Sequence, residues 1–337
     1  MAASALSTHA RAAITGWGTA VPEQRLTNAD LEQRVDTTDE WIVERTGIRE
    51  RRIVGDGETT ASLAVEAGTA AIKQAGITPE DINLLIVATA TPEQPIPHTG
   101  AFVSDGLGIH CGSFDLGAGC AGFLYGLVTG SALLTSGGLG HVLIIGAETL
   151  SRIANPKDRG TCILFGDGAA AVVLSPSTED GPGLLTWDLG CDGSATGLLE
   201  VQAGGSRLPA TAETIAAGQQ FIKMQGQEVF KRAVRAVVES VKNALDRADL
   251  TTADVDWFIP HQANARIIEA AANRLGIPAE RTVVNIDRYG NTSAASIPLA
   301  MAEAADCGKF KDGDIVLLSG FGAGMTWGSA VLRWGTP

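Results

Sequence analysis

A short polar turn feeding an unbroken apolar run occurs twice in this chain, at Ile77–Ile86 and at Leu250–Ile259, offset by 173 residues. Each apolar run is four to eight residues long and reads as a buried strand. At the same offset, Val142–Ile145 falls on Ile315–Leu318, a second buried-strand pattern. Phe165-Gly-Asp-Gly168 before Val172–Leu174 resembles Phe321-Gly-Ala-Gly324 before Val331-Leu332, with a shorter offset, so the first half carries extra residues around 149–164. Helical patterns cover Ser62–Gln74, Ala121–Ser136, Gln227–Arg247 and Arg266–Leu275. Strands alternating with helices predict an α/β fold. Three matched segments in the same order predict a duplicated unit. The expected halves are 10–176 and 177–337.

The duplication directs attention to three residues. The offset carries Cys120 onto Ser293, and both precede a helical stretch. His261 follows the strand that ends at Ile259, and Asn291 lies just before the helix of the second half. Cys120 is flanked by Gly117, Ala118, Gly119, Ala121 and Gly122, which admit close approach of backbone and substrate. A helix N-terminus favours a thiolate, although its ~0.3–1 kcal/mol falls short of the ~2 kcal/mol needed to half-ionise a thiol at neutral pH. A second partner such as histidine is therefore expected. Taken alone, a cysteine ahead of a helix reads more readily as a small buried hydrophobe than as a nucleophile. His261 is expected at an exposed strand end beside Gln262 and Asn264, where α/β proteins place ligand groups. Asn291 reads either as a helix cap or as an amide donor to a developing oxyanion. The turn Gly320-Phe-Gly-Ala-Gly-Met325 offers a further backbone donor; it is not a dinucleotide fingerprint.

Composition narrows the picture. The 337 residues are 45% apolar with 41 glycines and a formal charge of −13. Such an acidic chain argues against a nucleic-acid or anionic-membrane binder. Five cysteines at irregular spacing suggest neither zinc nor a disulfide framework, and fit a reducing, cytoplasmic setting. Met1–Ala13 lacks a basic start followed by an apolar run, so no signal peptide is expected. Leu116–Gly140 is uncharged but holds eight glycines, and is expected to be a buried helix with its loops rather than a membrane span. A Cys/His/Asn set serves papain-like proteolysis as well as acyl transfer. However, the sequence around a papain-type cysteine is absent and the duplicated plan does not suit that class.

The stretches Thr27–Leu31, Asp36–Ile42, Arg45–Glu50, Gly119–Phe123, Asp158–Thr161, Phe165–Gly168, Pro260–Asn264, Gly290–Ser296 and Gly320–Gly324 together resemble the β-ketoacyl-[acyl-carrier-protein] synthase III family of the thiolase superfamily. The resemblance runs from Gly16 to Trp334. It implies a thiolase-like fold, two α/β halves forming a layered αβαβα core. It implies an acyltransferase in which Cys120 takes an acyl group from an acyl-CoA. Condensation with malonyl-[acyl-carrier protein] then initiates fatty-acid synthesis, with His261 and Asn291 holding the malonyl thioester. The backbone N–H groups of Cys120 and Ala323 would form the acyl oxyanion hole, Ala323 standing where the family often has glycine. Thr37, Trp41, Arg45 and Arg159 would bind CoA, with the adenine between Trp41 and Arg159. Ile96 and Phe321 would belong to the acyl pocket, Ile96 as an aliphatic gate near a dimer interface. Lys231, Arg232, Arg235, Arg266 and Arg274 would form a basic patch for the acidic carrier protein. No metal or cofactor is implied, and a homodimer is. A priming ketosynthase or acyltransferase of a polyketide pathway is the neighbouring alternative. A non-catalytic relative would be expected to lack Cys120, His261 or Asn291.

Overall fold

The computed structural model describes residues 11–336; residues 1–10, most of the segment read for a signal peptide and the first residue of the expected N-terminal half, lie outside the described residues, as does Pro337. Nine strands form two sheets. The first contains β1 (Arg11–Ala20), β2 (Ile82–Ala88), β3 (Gly112–Leu116), β4 (His141–Thr149) and β5 (Asp167–Ser177), in the spatial order β1-β5-β4-β2-β3. The second contains β6 (Gly183–Cys191), β7 (Trp257–Pro260), β8 (Ile315–Gly322) and β9 (Thr326–Arg333), in the order β7-β8-β9-β6. The first sheet has two parallel pairs (β3 with β2, β2 with β4) and the second has one (β7 with β8), and each continues into two antiparallel pairs. The two orders superpose strand for strand, β6 on β1, β7 on β2, β8 on β4 and β9 on β5. The counterpart of β3 is reduced to a single parallel bridge between Phe258 and Thr282.

Alternation along the strands separates the layers. From β2 and β4, Ile86 and Ile144 face a central cluster shared with Ile259, Leu318 and Ala330 of the second sheet. Two helices fill that centre: Gly122–Thr135, with Phe123, Leu124 and Leu127 fully buried, and Ser296–Asp306, with Ile297, Ala300 and Met301 buried. Leu116–Gly140 is therefore a buried helix with its loops, and no described helix is long and apolar enough to cross a membrane. The opposite face of the first sheet packs Leu85, Leu143 and Ile145 against the helix Thr60–Gln74. The opposite face of the second packs Phe258, Leu317 and Val331 against the amphipathic helices Gly226–Asp246 and Ala265–Leu275. The result is an αβαβα stack. Truncating Phe123 at its centre to alanine would cost ~3–5 kcal/mol.

Both central helices begin with a 3-10 turn, Gly119–Ala121 and Ser293–Ala295. These turns meet between the sheets. Gly146 of β4 has no room for a Cβ against the Ala294 carbonyl, so only glycine lets the strand approach that turn so closely.

Candidate active site

The strand β7 ends at Pro260, and His261 follows with its backbone N–H donating to the Ser319 carbonyl at 2.7 Å. The expectation of an exposed strand end is corrected here. His261 is 3% exposed, because the strand opens into a cavity rather than into bulk solvent. Its Nδ1 lies 2.6 Å from Ser296 Oγ, and that oxygen accepts the Gln262 N–H at 3.4 Å. With the Ser296 hydroxyl donating to Nδ1, the ring proton sits on Nε2. Nε2 has no protein partner. Burial pushes the imidazole down to about 3, so the ring is neutral at physiological pH. Phe321 packs edge-on against it at 5.6 Å.

Asn291 is held by the inserted segment of the first half. Its N–H donates to the Leu164 carbonyl at 2.8 Å, and its own carbonyl accepts from Gly166 at 3.0 Å. Gly290 precedes it at φ +65°, with the Leu164 carbonyl 2.7 Å from where a Cβ would stand. The side-chain Oδ1 accepts the Ser293 N–H at 2.8 Å, so Asn291 closes a local turn and presents Nδ2 as a donor.

Cys120 occupies the 3-10 turn ahead of Gly122–Thr135 and is 8% exposed. Burial opposes the thiolate that a helix end and a histidine would favour. Burial raises the thiol to about 12, the nearby Glu148 carboxylate adds to this, and a hydrogen bond from Ser293 offsets only part of it. A neutral His261 supplies no cation. Both effects favour the thiol form of Cys120. Around it the Gly320–Gly324 loop comes so close that a Cβ on Gly119 (φ +52°) would lie 2.9 Å from the Ala323 nitrogen. The Cys120 and Ala323 N–H groups therefore border one small space. Positive φ outside glycine is confined to Asp249 and Ser293 among the described residues, so Ala323 has a backbone that alanine tolerates.

Two cavities, each of about 230 Å³, meet at Cys120. The first runs from Trp41 and Arg45 past Asn264 and Phe230 to Cys120, His261 and Asn291. The second, on the far side, is lined mainly by apolar Ala90, Leu150, Ile153, Val201 and Ile222. Phe165 and Leu199 border both.

The remaining expected residues fall in several places. Trp41 sits on the helix Asp39–Thr46, capped by Thr38, with the Arg159 guanidinium 4.7 Å and that of Arg45 5.3 Å from its ring centre. An aromatic ring intercalated between Trp41 and Arg159 needs roughly 7 Å, two contact distances, so the pair is closed on itself. Arg159 is held there by the Asp36 carbonyl at 2.6 Å. Thr37 is half-buried and lines neither cavity. Phe321 lines the first cavity rather than the second. Ile96 is 85% exposed and lines neither. Lys231, Arg232 and Arg235 are each paired at 2.9 Å, with Glu228, Asp192 and Glu239. Exposed Arg266 and Arg274 have no carboxylate partner among the described residues. No cluster of three potential metal ligands occurs among the described residues. Sequence reasoning did not single out Ser296, Phe165, Leu199 or Glu148. Ser296 and Phe165 stood in quoted motifs, but Leu199 and Glu148 have ordinary strand signatures.

Comparison with known proteins fits this geometry. Residues 114–193 match the family described as 3-Oxoacyl-[acyl-carrier-protein (ACP)] synthase III, and residues 245–334 its C-terminal family. A β-ketoacyl-[acyl-carrier-protein] synthase III of Roseiflexus castenholzii is 52% identical over 324 residues, covering 96% of this chain and 98% of that one. The crystal structure of a synthase III from Thermus thermophilus superposes with a TM-score of 0.90 at 45% identity, covering 96% of this chain and all of that one. A priming β-ketosynthase of the R1128 polyketide pathway superposes with a TM-score of 0.91 at 33% identity, covering 99% of each.

Proposed function

Because this chain belongs to the β-ketoacyl-[acyl-carrier-protein] synthase III family, we propose that it condenses an acyl-CoA primer with malonyl-[acyl-carrier protein] through a thioester on Cys120. The products are 3-oxoacyl-[acyl-carrier protein], CoA and CO2, and the reaction initiates fatty-acid synthesis. The single observation that carries the site assignment is the first cavity, which joins Trp41 and Arg45 to Cys120, His261 and Asn291.

The primer's nucleotide end rests at Trp41, Arg45 and Arg159, and its thioester reaches Cys120. The developing oxyanion takes hydrogen bonds from the Cys120 and Ala323 N–H groups. The acyl chain lies in the second, apolar cavity. CoA leaves, and the malonyl thioester enters along the same path. Neutral His261, through Nε2, and Asn291, through Nδ2, donate to its carbonyl oxygen and stabilise the enolate formed as CO2 departs. The enolate carbon then attacks the acyl-Cys120 carbonyl. Loss of CO2 drives the step, and no step calls for a metal or cofactor.

Arg266 and Arg274 are better placed than the paired Lys231, Arg232 and Arg235 to receive an acidic carrier protein. Arg266 lies between Asn264 and Ile267, which line the first cavity. A homodimer, in which a second copy covers exposed Ile96, and a cytoplasmic setting complete this reading; five free cysteines are compatible with that setting. Identity of 52% to a synthase III, against 33% to the polyketide priming enzyme, favours the fatty-acid role. The test is incubation with a panel of acyl-CoAs and malonyl-carrier protein, followed by intact mass of the protein and its products. An adduct that persists in Cys120→Ala would overturn the assignment.

A further inference from the structure

Glu148 lies near the end of β4 with none of its surface exposed. Its carboxylate accepts the Thr91 hydroxyl at 2.6 Å and the Ala90 N–H at 3.1 Å, with Ser293 and Ala294 beside it. No Lys, Arg or His forms an ion pair with it among the described residues. A buried carboxylate without a cation is costly, and the donors around it offset only part of that cost. The niche adjoins the nucleophile. Ala90, Cys120 and Ser293 line the same cavity, and Ser293 lies beside both the Cys120 thiol and the Glu148 carboxyl, favouring the charged form of each. Ser293 holds this position at φ +48°, which L-residues adopt rarely.

We propose that Glu148 stores the Cys120 proton during the catalytic cycle, exchanging it through the Ser293 hydroxyl. This deepens the reading above and rests on it. As Cys120 attacks the acyl-CoA, the S–H proton passes to Ser293 Oγ while the Ser293 proton passes to the Glu148 carboxylate. A C–S bond forms at Cys120, and the bond to CoA breaks, the pair leaving on the CoA thiolate, which takes its proton from water. In the condensation the malonyl carboxylate leaves as CO2. Its electron pair forms the new C–C bond, and the Cys120 thiolate is expelled. Glu148 then returns the proton by the same route, so the carboxylate charge lost with CO2 reappears on Glu148. Burial raises the carboxyl to about 7, close to what a reversible store needs at neutral pH. The groups around it fit that role. Cys120 faces it from its turn, and His261 is neutral. Asp167 of β5, across from Thr149, is occupied by Ser151 and the Val54 N–H, and no charged side chain comes from Thr89–Thr91.

The test is the single-turnover rate of Cys120 acylation by acetyl-CoA, read by intact mass between pH 6 and 9. Wild type should show a rate step near neutrality. Glu148→Gln should acylate roughly 10-fold more slowly at neutral pH, with its rate rising only toward alkaline pH. Glu148→Asp should recover part of the rate. Ser293→Ala should match Glu148→Gln, and the double variant should be no slower than either. A folded Glu148→Gln with the wild-type rate and pH profile would overturn the proposal. If that variant does not fold, wild-type behaviour in Ser293→Ala would do so. An acyl adduct surviving in Cys120→Ala would instead overturn the acyl-cysteine reading itself.

Discussion

Ser296 Oγ and His261 Nδ1 are 2.6 Å apart, and the serine oxygen is at the same time an acceptor for the Gln262 N–H. A serine hydroxyl that donates to Nδ1 places the ring proton on Nε2. Ser296→Ala should leave Cys120 acylation unchanged and slow malonyl decarboxylation ~10-fold or more, because the Nε2–H tautomer loses its support. Comparing acyl-enzyme formation with CO2 release in the same preparation checks this. Equal loss in both steps would contradict it.

His261→Ala and Asn291→Ala should retain self-acylation and lose condensation. Removing one oxyanion donor costs ~10²–10³ in rate. Retention of decarboxylation by either variant, measured as CO2 release from malonyl-carrier protein, would contradict the division of roles.

Trp41 and Arg159 stack on each other at 4.7 Å, so a bound adenine must part them. Trp41→Ala should raise KM for acyl-CoA ~10-fold with little change in kcat, since cation–π and stacking contacts of this kind are worth ~1–2 kcal/mol. In wild type, CoA should change tryptophan fluorescence; Trp41→Phe should lose most of that signal. A titration with CoA alone reads both.

Arg266 and Arg274 carry no carboxylate partner, whereas Lys231, Arg232 and Arg235 do. Arg266→Glu and Arg274→Glu should raise KM for malonyl-carrier protein more than Lys231→Glu does, and the difference should shrink at high salt. Steady-state kinetics at two ionic strengths decides it.

Burial raises the Glu148 carboxyl from 4.5 to about 7. A carboxyl raised in the folded state contributes stability that is fully present below pH 4.5 and lost as pH rises through about 7. The unfolded chain releases that proton first, and the full effect is about 3 kcal/mol. His261 works in the opposite direction, since its imidazole is depressed from 6.5 to about 3 and costs stability as pH falls through that window. The difference between Glu148→Gln and wild type isolates the carboxyl. The variant should gain relative stability between pH 5 and pH 8. Urea midpoints showing the same difference at both pH values would exclude this coupling.

The duplicated strands and the buried helix after Cys120 were legible in the chain because each is written in local pattern, whereas the Cys120/His261/Asn291 set gained its roles only from the family resemblance. Unbroken apolar runs mark strands covered on both faces, and repeated turn-and-run segments mark a repeated unit. What those residues do electrostatically was not legible. A helix end and a histidine suggested a thiolate, yet enclosure between two sheets makes the cost of a buried charge exceed the helix-end contribution. Burial therefore favours the thiol form of Cys120 and the neutral form of His261. Glu148 looked like any strand residue, because the strand pattern records which face a side chain takes and not what lies opposite. The sequence by itself determined the pattern of strands and helices and the repetition of one unit, both properties of local periodicity, while the layered core and the roles of Cys120, His261 and Asn291 were implied by the family resemblance. Only the tertiary structure decided their protonation, the closure of Trp41 on Arg159 and the exposure of Ile96. Those depend on dielectric and contact between segments more than a hundred residues apart in the chain, or on surface that no local pattern specifies.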